Sequence, residues 1–424
     1  MRVFLSSIGC RLNQSELEIM AAELRAGGHV IAANPEDAEA AIINSCVVTA
    51  AAEADSRKLL HHIERAGVNR IFLTGCWASL EGIEEGLLPK GTVIVPNQKK
   101  KEIINTFFHP SIDIKSSIAP RIPLPGKKRR TRAFIKVQEG CDYHCTFCIT
   151  RVARGKSVSR PFAAIRHDIH AAELADVKEI VLTGTQLGGW GKDLPEKKSI
   201  AFLVNEILAQ TNIPFIRLSS IEPWDIQEDF FSLFCDPRFC NHLHLPLQSG
   251  SHPTLKRMAR KFSPQTYANL IEKIRSCSPA IAITTDIVVG FPGETEEEFR
   301  ESLEFIKAMQ FSGGHVFRFS PRPGTPAVDF PDQVAGTVKR ERNKTVQDIL
   351  LKSANQYKAA FIHKPVSVIW EQGLKQKDGS WIMRGLSTNY LRVQAHAEKN
   401  IWNTLSTVIL LEDIGKYMLG EISK

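Results

Sequence analysis

Along the first 110 residues, compact apolar runs rich in β-branched residues alternate with stretches where apolar side chains recur at helical spacing. The runs are VFLSSIG from Val3, AAIINS from Ala40, RIFLTG from Arg70 and TVIVPN from Thr92. The stretches between and after them are NQSELEIMAAELRA, TAAAEADSRKLLHHIERAG and QKKKEIINTFF. Strand–helix alternation of this kind predicts a parallel α/β unit, with each helix returning the chain to the same end of the sheet. The pattern breaks in IAPRIPLPGKKRRTR, from Ile118 to Arg132, whose proline and basic content suits a linker. A second series opens at Ala133 with six strand candidates: AFIKVQ, EIVLTG, FIRLSS, HLHLPL, AIAITTDIVVG and GHVFRFS. Six βα units fall short of the eight that close a barrel, so an open, partial barrel is expected. A long helical pattern runs from about Val338 to Phe361. From Pro365 onward, VSVIWEQ, SWIMRGLS, YLRVQAH, TLSTVILLED and YMLGEIS read as five short strands, the pattern of a small barrel of the oligonucleotide-binding sort. The expected divisions are 1–117, a linker at 118–132, 133–364 and 365–424.

Composition narrows the class. In 424 residues, 43% are apolar and 24% charged, which excludes a disordered or collagen-like chain. No apolar run reaches the roughly 18 residues of a membrane helix, and MRVFLSSIGCRLNQSE has no signal-peptide pattern, so no membrane partner and a cytoplasmic location are expected. In that reducing compartment nine cysteines point to metal binding or catalysis before disulfides. The formal charge of +8 makes an acidic partner plausible, nucleic acid first.

The cysteines carry the chemistry. Cys141, Cys145 and Cys148, in GCDYHCTFC, form a C-x3-C-x2-C run directly after a predicted strand. Three thiolates leave one metal position open, whereas a structural zinc site wants four ligands and would need His144 or a distant residue. Cys10, Cys46 and Cys76 each follow a predicted strand of the first domain. Ligands gather at the carboxyl ends of strands in open parallel sheets, so these three can meet despite their separation; three buried packing cysteines are the alternative. Cys235, Cys240 and Cys277 follow no such pattern and read as packing residues.

The cysteine run after a strand, opening a six-unit α/β series, resembles the radical S-adenosylmethionine enzymes. With Cys10, Cys46 and Cys76 upstream and a small β-domain downstream, the chain resembles the methylthiotransferases over essentially its whole length. The phrases that carry this are GCRLNQSE, NSCVVT, TGCWA, KVQEGCDYHCTFCIT, ARGKSVSR, HLHLPLQSGS, LKRMARK and TDIVVGFPGETEEEF. LTGTQLGGWG, SSIEP and HVFRFSPRPGTPA look most like the branch acting on N6-threonylcarbamoyladenosine at tRNA position 37. Thr150-Arg151 departs from relatives that carry an apolar residue and proline there; only the local loop shape is in doubt.

The resemblance implies an α/β protein with a Rossmann-like N-terminal domain, a partial (β/α)6 radical S-adenosylmethionine barrel and a C-terminal all-β barrel of the TRAM, OB-like kind. It implies two 4Fe-4S clusters. Cys141, Cys145 and Cys148 would hold the one that binds and reductively cleaves S-adenosylmethionine. Cys10, Cys46 and Cys76 would hold an auxiliary cluster carrying the sulfur to be transferred to C2 of the adenine. The implied partners are the tRNA anticodon stem-loop, an electron donor such as a flavodoxin or ferredoxin, and a sulfur source. The same machinery acts on isopentenyladenosine in tRNA or on a ribosomal-protein aspartate in related branches. A zinc-stabilised, non-catalytic RNA-binding protein is the reading from another class.

Further residues are candidates around the cofactor. Gly184, Gly188 and Gly189 follow a strand and allow close backbone approach. Gly290 ends the fifth strand, and Thr295 with Glu298 forms a capping box beyond it. Glu222 and Gln248 lie at strand ends, where polar groups line pockets. Phe147 precedes the third cysteine, near the adenine by resemblance or in the core. His242 and His244 share a strand face and read as barrel-lining residues. For RNA, Lys127, Lys128, Arg129 and Arg130, and Lys256, Arg257, Arg260 and Lys261, are candidate phosphate contacts. Trp370, Trp381 and Tyr390 are candidates for base stacking or for the core of the last barrel.

Overall fold

The computed structural model describes residues 1–80, 82–83, 86, 88–108, 122 and 131–423. The basic cluster Lys127, Lys128, Arg129 and Arg130 lies outside the described residues, with nearly all of the linker.

Five parallel strands build the first domain: β1 (Arg2–Ser7), β2 (Val30–Ala32), β3 (Ala40–Ser45), β4 (Arg70–Gly75) and β5 (Val93–Ile94), in the order β2-β1-β3-β4-β5. The apolar pattern did not reveal β2, because three residues are too short to show a period. Helices α1 (Arg11–Ala26), α2 (Ala50–Arg65) and α3 (Glu102–Phe107) complete the domain. The strand order reverses between β1 and β3, which opens a crevice at the carboxyl ends of β1, β3 and β4. Helix α1 buries Leu17, Met20, Ala21 and Leu24 in the core under this sheet. It also buries Asn13 and Glu16, which a helical wheel places on the same face as Met20 and Leu24, and Ser15 on the opposite side, where its hydroxyl donates to the Phe134 carbonyl.

The second domain has the six expected strands. Strand β6 (Arg132–Lys136) opens at the last residue assigned to the linker. A short antiparallel pair, β7 (Gln138–Glu139) and β8 (Val158–Ser159), ties together the two ends of the cysteine loop, which includes α4 (Thr150–Arg154). Then follow α5 (Phe162–Leu174), β9 (Glu179–Thr183), α6 (Ile200–Gln210), β10 (Phe215–Leu218), β11 (His242–His244), α7 (His252–Arg257), α8 (Pro264–Cys277), β12 (Ala282–Val289), α9 (Glu296–Met309), β13 (Gly313–Arg318) and α10 (Gly336–Ala359). Strands β6, β9 and β10 form one ladder, and β11, β12 and β13 another. Bridges Ile216–Phe239 and Ser220–His244 join them, so the six strands curve in sequence order while β6 and β13 remain edges. Ala133, Ile135, Ile180, Leu182, Ile216 and Leu218 belong to the core shared with the helices. The alternate residues, Phe134, Val181 and Arg217, stand side by side on the inner face. The expected capping box forms: Thr295 Oγ1 accepts from the Glu298 N–H while the Glu298 carboxylate accepts from the Thr295 N–H.

The tail closes into a barrel of β14 (Pro365–Lys375), β15 (Trp381–Ser387), β16 (Arg392–Ala397), β18 (Met418–Ile422) and β17 (Leu405–Asp413), in that order. Trp370 is core: it is fully buried and its indole N–H donates to Ser406 Oγ at 3.0 Å. Trp381 is half-buried at the start of β15. Tyr390 is not a free stacking platform. Its ring lies flat on His242, centroids 3.9 Å apart at 6°, with the residue held at φ +68°.

That stack belongs to a plug. The turn following β15 enters the amino-terminal end of the open barrel. There the fully buried Arg217 pairs with Glu179 at 2.8 Å and donates to the carbonyls of Thr388 and Ser387 at 3.1 and 3.2 Å. Glu371 of β14 pairs with Arg132. His242 is neutral in this setting: burial first, then Arg217 and the other cations nearby, hold its pKa well below 6.5. Because the folded-state value is depressed, the stabilisation is present above the ordinary imidazole range and is lost as pH falls below it, where the unfolded chain takes up a proton. Thermal melts between pH 7 and pH 5 should show a shallower decline for His242→Phe, which keeps an aromatic ring under Tyr390 but cannot titrate. No helix among the described residues is long and apolar enough to cross a membrane.

Candidate active site

Cys10, Cys46 and Cys76 follow β1, β3 and β4, which are neighbours in the sheet, so their spacing in sequence disappears in space. Two glycines make the approach possible. Gly9 has φ +97°, and a Cβ there would lie 2.7 Å from the Cys46 sulfur; Gly75 has φ +97°, and a Cβ would lie 2.3 Å from the Ser45 carbonyl. Burial raises the pKa of Cys10 and raises that of Cys46 to about 11; the Cys76 thiol adds to both rises and Cys10 to that of Cys46.

The second trio lies on the loop between β7 and α4. Gly140, at φ +76°, passes so close to the Lys156 carbonyl that a side chain is excluded, and the Cys141 N–H donates to the Gly155 carbonyl at 3.0 Å. The Tyr143 N–H points at the Cys141 sulfur at 3.4 Å, and the Thr146 N–H donates to the Met258 carbonyl. The Tyr143 hydroxyl reaches Asp225, which also takes Lys192 at 2.7 Å. Burial pushes Cys141 up to about 12, with Cys148 and Cys145 adding to the rise.

Among the described residues, no three His, Cys, Asp or Glu side chains close around a single metal ion. Sets of three thiols fit a cubane cluster, whose cysteine ligands bind separate irons, whereas a structural zinc ion takes four ligands on one metal.

Arg154 connects the two trios. It sits at the end of α4, six residues after Cys148, and its Nε donates to the Cys76 sulfur at 3.3 Å. Its other nitrogens reach Glu16 at 3.0 Å, Glu139 at 2.9 Å and Asn13 at 2.5 Å. Glu16 also takes Lys100 at 2.6 Å, Lys136 at 2.9 Å and the Asn44 amide at 3.1 Å. These cations hold the Glu16 carboxyl well below 4.5 against the opposing effect of its burial. One anion thus gathers side chains from both domains behind the first cysteine trio.

Other predicted positions fall around the second trio, several with a different duty. Glu222 is engaged by Arg260 at 2.6 Å, and Arg260 lies 3.6 Å from the Cys145 sulfur and over the Trp224 ring at 4.5 Å. Arg260 is buried there rather than offered to phosphate. Arg257 donates to the carbonyls of Pro292 and Gly293 at 3.2 and 3.0 Å and to Glu298, so it holds the turn before α9. Lys256 and Lys261 are exposed. A Cβ at Gly184, Gly188 or Gly189 would run into Gln138, Asp225 or Gln186, so these glycines admit protein side chains at close range. Gly290, at φ +69°, donates its N–H to Glu294 at 2.6 Å. Phe147 packs edge-on against Phe291 at 6.3 Å, in a cluster with Met258, Val288 and Phe319. Gln248 has φ +70° and pairs through its backbone with β12, a conformation rarely taken without a constraint on the site. His242 and His244 both reach Thr284 Oγ1 at 2.9 Å, as lining residues. Arg154, Glu16 and Asp225 were not legible as site residues, since a lone charge on a helix or turn carries no sign of its partner.

Family models match two parts of the chain. Residues 135–306 match the Radical SAM superfamily, and residues 2–94 match the Uncharacterized protein family UPF0004. The chain is 36% identical to the threonylcarbamoyladenosine tRNA methylthiotransferase MtaB of Thermotoga maritima, over 92% of this chain and 89% of that one. It is 33% identical to the MtaB of Bacillus subtilis over 99% and 96%. It is also 33% identical to the tRNA-2-methylthio-N(6)-dimethylallyladenosine synthase of Clostridium tetani, over 87% and 85%. Among solved structures, the radical S-adenosylmethionine methyltransferase TsrM of Kitasatospora setae shares the fold, with TM-score 0.57 at 13% identity over 77% of this chain and 75% of that one.

Proposed function

Since the chain belongs to the radical S-adenosylmethionine methylthiotransferase family, we propose that it adds a 2-methylthio group to N6-threonylcarbamoyladenosine at position 37 of tRNA, in the cytoplasm where that substrate is made. Family membership implies one 4Fe-4S cluster and S-adenosylmethionine. The observation that carries the fuller reading is the thiol trio Cys10, Cys46 and Cys76, gathered on adjacent strand ends and joined through Arg154 to the loop that carries Cys141, Cys145 and Cys148. Cys141, Cys145 and Cys148 would hold the cluster that cleaves S-adenosylmethionine, and the upstream trio an auxiliary cluster that presents sulfur. A cluster held by Cys141, Cys145 and Cys148 would supply the one-electron reductive chemistry that S-adenosylmethionine needs to activate the C2–H of the adenine.

The chain's own residues do the rest. Asp225 and Lys192 fix Tyr143 and with it the spacing of Cys141 and Cys145. Arg260, held by Glu222, brings a positive charge to 3.6 Å from the Cys145 sulfur, which favours its anionic form against the opposing effects of burial and of Glu222. Arg154 donates a charge-assisted hydrogen bond to the Cys76 sulfur. Electrons would come from a flavodoxin- or ferredoxin-like donor, and sulfur from a separate source.

RNA would lie on the outer face of β15 and β16. Arg384 and Arg392 project there, opposite the buried Met383, Val393 and Ala395, and Arg384 covers the Tyr417 ring at 4.8 Å. Arg392→Glu should weaken anticodon stem-loop binding by roughly tenfold at low salt and flatten its salt dependence, because a phosphate contact and its counterion release are lost. Fluorescence anisotropy across a salt series measures this.

Nucleoside mass spectrometry of bulk tRNA, with and without the gene, tests the substrate. Loss of 2-methylthio-N6-threonylcarbamoyladenosine with accumulation of its precursor is expected. Loss of the methylthiolated isopentenyl nucleoside instead would assign the protein to the other tRNA branch.

A further inference from the structure

The proposed substrate carries a carboxylate on its N6 substituent, a few ångströms from the C2 that reacts. A buried or half-buried carboxylate needs a cation not already neutralised by the protein. The inner face of the barrel and its border with the first domain hold several cations, nearly all committed. Arg132 pairs with Glu371, Arg217 with Glu179, Lys136 and Arg154 with Glu16 and Glu139, and Arg260 with Glu222.

Arg11 differs. It directly follows Cys10, and among the described residues it has no carboxylate partner. Its guanidinium takes one hydrogen bond acceptor, the Tyr390 hydroxyl at 3.0 Å, and lies 5.8 Å from the centre of the Phe134 ring on the inner face of β6. These two contacts come from the other two domains and hold the guanidinium at the inner face of β6. Among the described residues its remaining N–H groups have no acceptor and are left for solvent or a ligand. Its charge is felt by Glu179, His242 and Arg132, at the end of the barrel that Tyr390 enters.

We propose that Arg11 reads the carboxylate of the threonylcarbamoyl group and so is a specificity-determining residue, placed beside the sulfur-bearing cysteine by its position in the chain. The inference rests on the threonylcarbamoyladenosine reading above. A planar guanidinium suits a carboxylate through paired N–H donors, and its existing contacts reduce the ordering cost of binding. An uncharged isopentenyl group would gain nothing from it.

The test uses reconstituted full-length enzyme and anticodon stem-loop RNA carrying N6-threonylcarbamoyladenosine, either as the acid or as its carboxamide. Binding is measured by anisotropy without reductant, and KM and kcat with it. The wild type should prefer the acid by roughly ten- to hundred-fold in Kd and KM, the worth of a charge-assisted hydrogen bond. Arg11→Gln should bring that ratio close to one, and Arg11→Lys should restore part of it. A wild type that does not distinguish acid from amide overturns the inference without recourse to any variant. So does an Arg11→Gln enzyme that keeps the wild-type ratio. A wild type that methylthiolates isopentenyladenosine RNA and leaves both forms of the threonylcarbamoyl RNA untouched would instead defeat the substrate reading itself.

Discussion

A Cys46→Ala enzyme should still cleave S-adenosylmethionine to 5′-deoxyadenosine yet leave its tRNA without a methylthio group, whereas Cys145→Ala should form neither product. The two thiols lie in separate trios, so on the two-cluster reading proposed above each substitution would remove one of only three protein ligands from one centre and leave the other intact. Cys46 is buried at the end of β3, against Gly9, and Cys145 lies under Arg260. If Cys46 were only a packing residue, its truncation would cost about 1 kcal/mol and leave product formation near normal. Deoxyadenosine and modified nucleoside measured in the same reactions, with iron counted in each variant, separate the outcomes. Full methylthiolation by a folded Cys46→Ala protein would end the sulfur-carrier role.

Glu16→Ala should be the most damaging single change away from the cysteines. It strips the shared anion from Lys100, Lys136 and Arg154, all at most 14% exposed at the side chain. Removing one partner of a buried pair typically costs about 3–5 kcal/mol, because the opposite charge is left unpaired in a poor solvent. Here three cations lose it together, and Arg154 also loses the anchor that aims its Nε at Cys76. Denaturant titration should place the loss in that range or above, against within about 0.5 kcal/mol for Glu36→Ala on the exposed surface. Burial of Glu16 works against ionisation, but Lys100, Arg154 and Lys136 outweigh it, so its pKa is depressed. Its stabilising contribution is therefore present above the ordinary carboxylate value of 4.5 and is lost as pH falls through the lower folded-state value. The wild-type and Glu16→Ala stability curves should converge only in strong acid.

Much of this architecture was legible in the residues. Apolar periodicity located all six barrel strands and all five strands of the tail, because a strand or helix that must bury one face repeats that requirement every two or every three to four residues. It missed β2, which is too short to repeat anything. The capping box at Thr295 and Glu298 was legible because its partners lie within one turn of each other. The candidate RNA contacts were less so. LKRMARK looks like a uniform basic stretch, yet Arg257 and Arg260 turn inward to Glu298 and Glu222, Lys261 lies over the Tyr143 ring at 4.6 Å, and Lys256 stays exposed. Trp370 and Tyr390 look alike as aromatic residues of a β-domain, and only packing sends one to the core and the other onto His242.

The division follows from the range over which a residue's surroundings are written in the chain. The sequence by itself determined which segments are strands and helices, that each of six cysteines follows a strand, and that glycines precede Cys10, Cys76 and Cys141, since all of these depend on neighbours a few positions away. Only the tertiary structure decided that Arg154 would meet Glu16, 138 residues distant, and the Cys76 sulfur, and that Tyr390 would hold Arg11 from 379 residues away. A charged side chain on an amphipathic helix has the same local pattern whether it ends in water or against another domain. Its role is set when docking removes the water and leaves the opposite charge as the remaining partner.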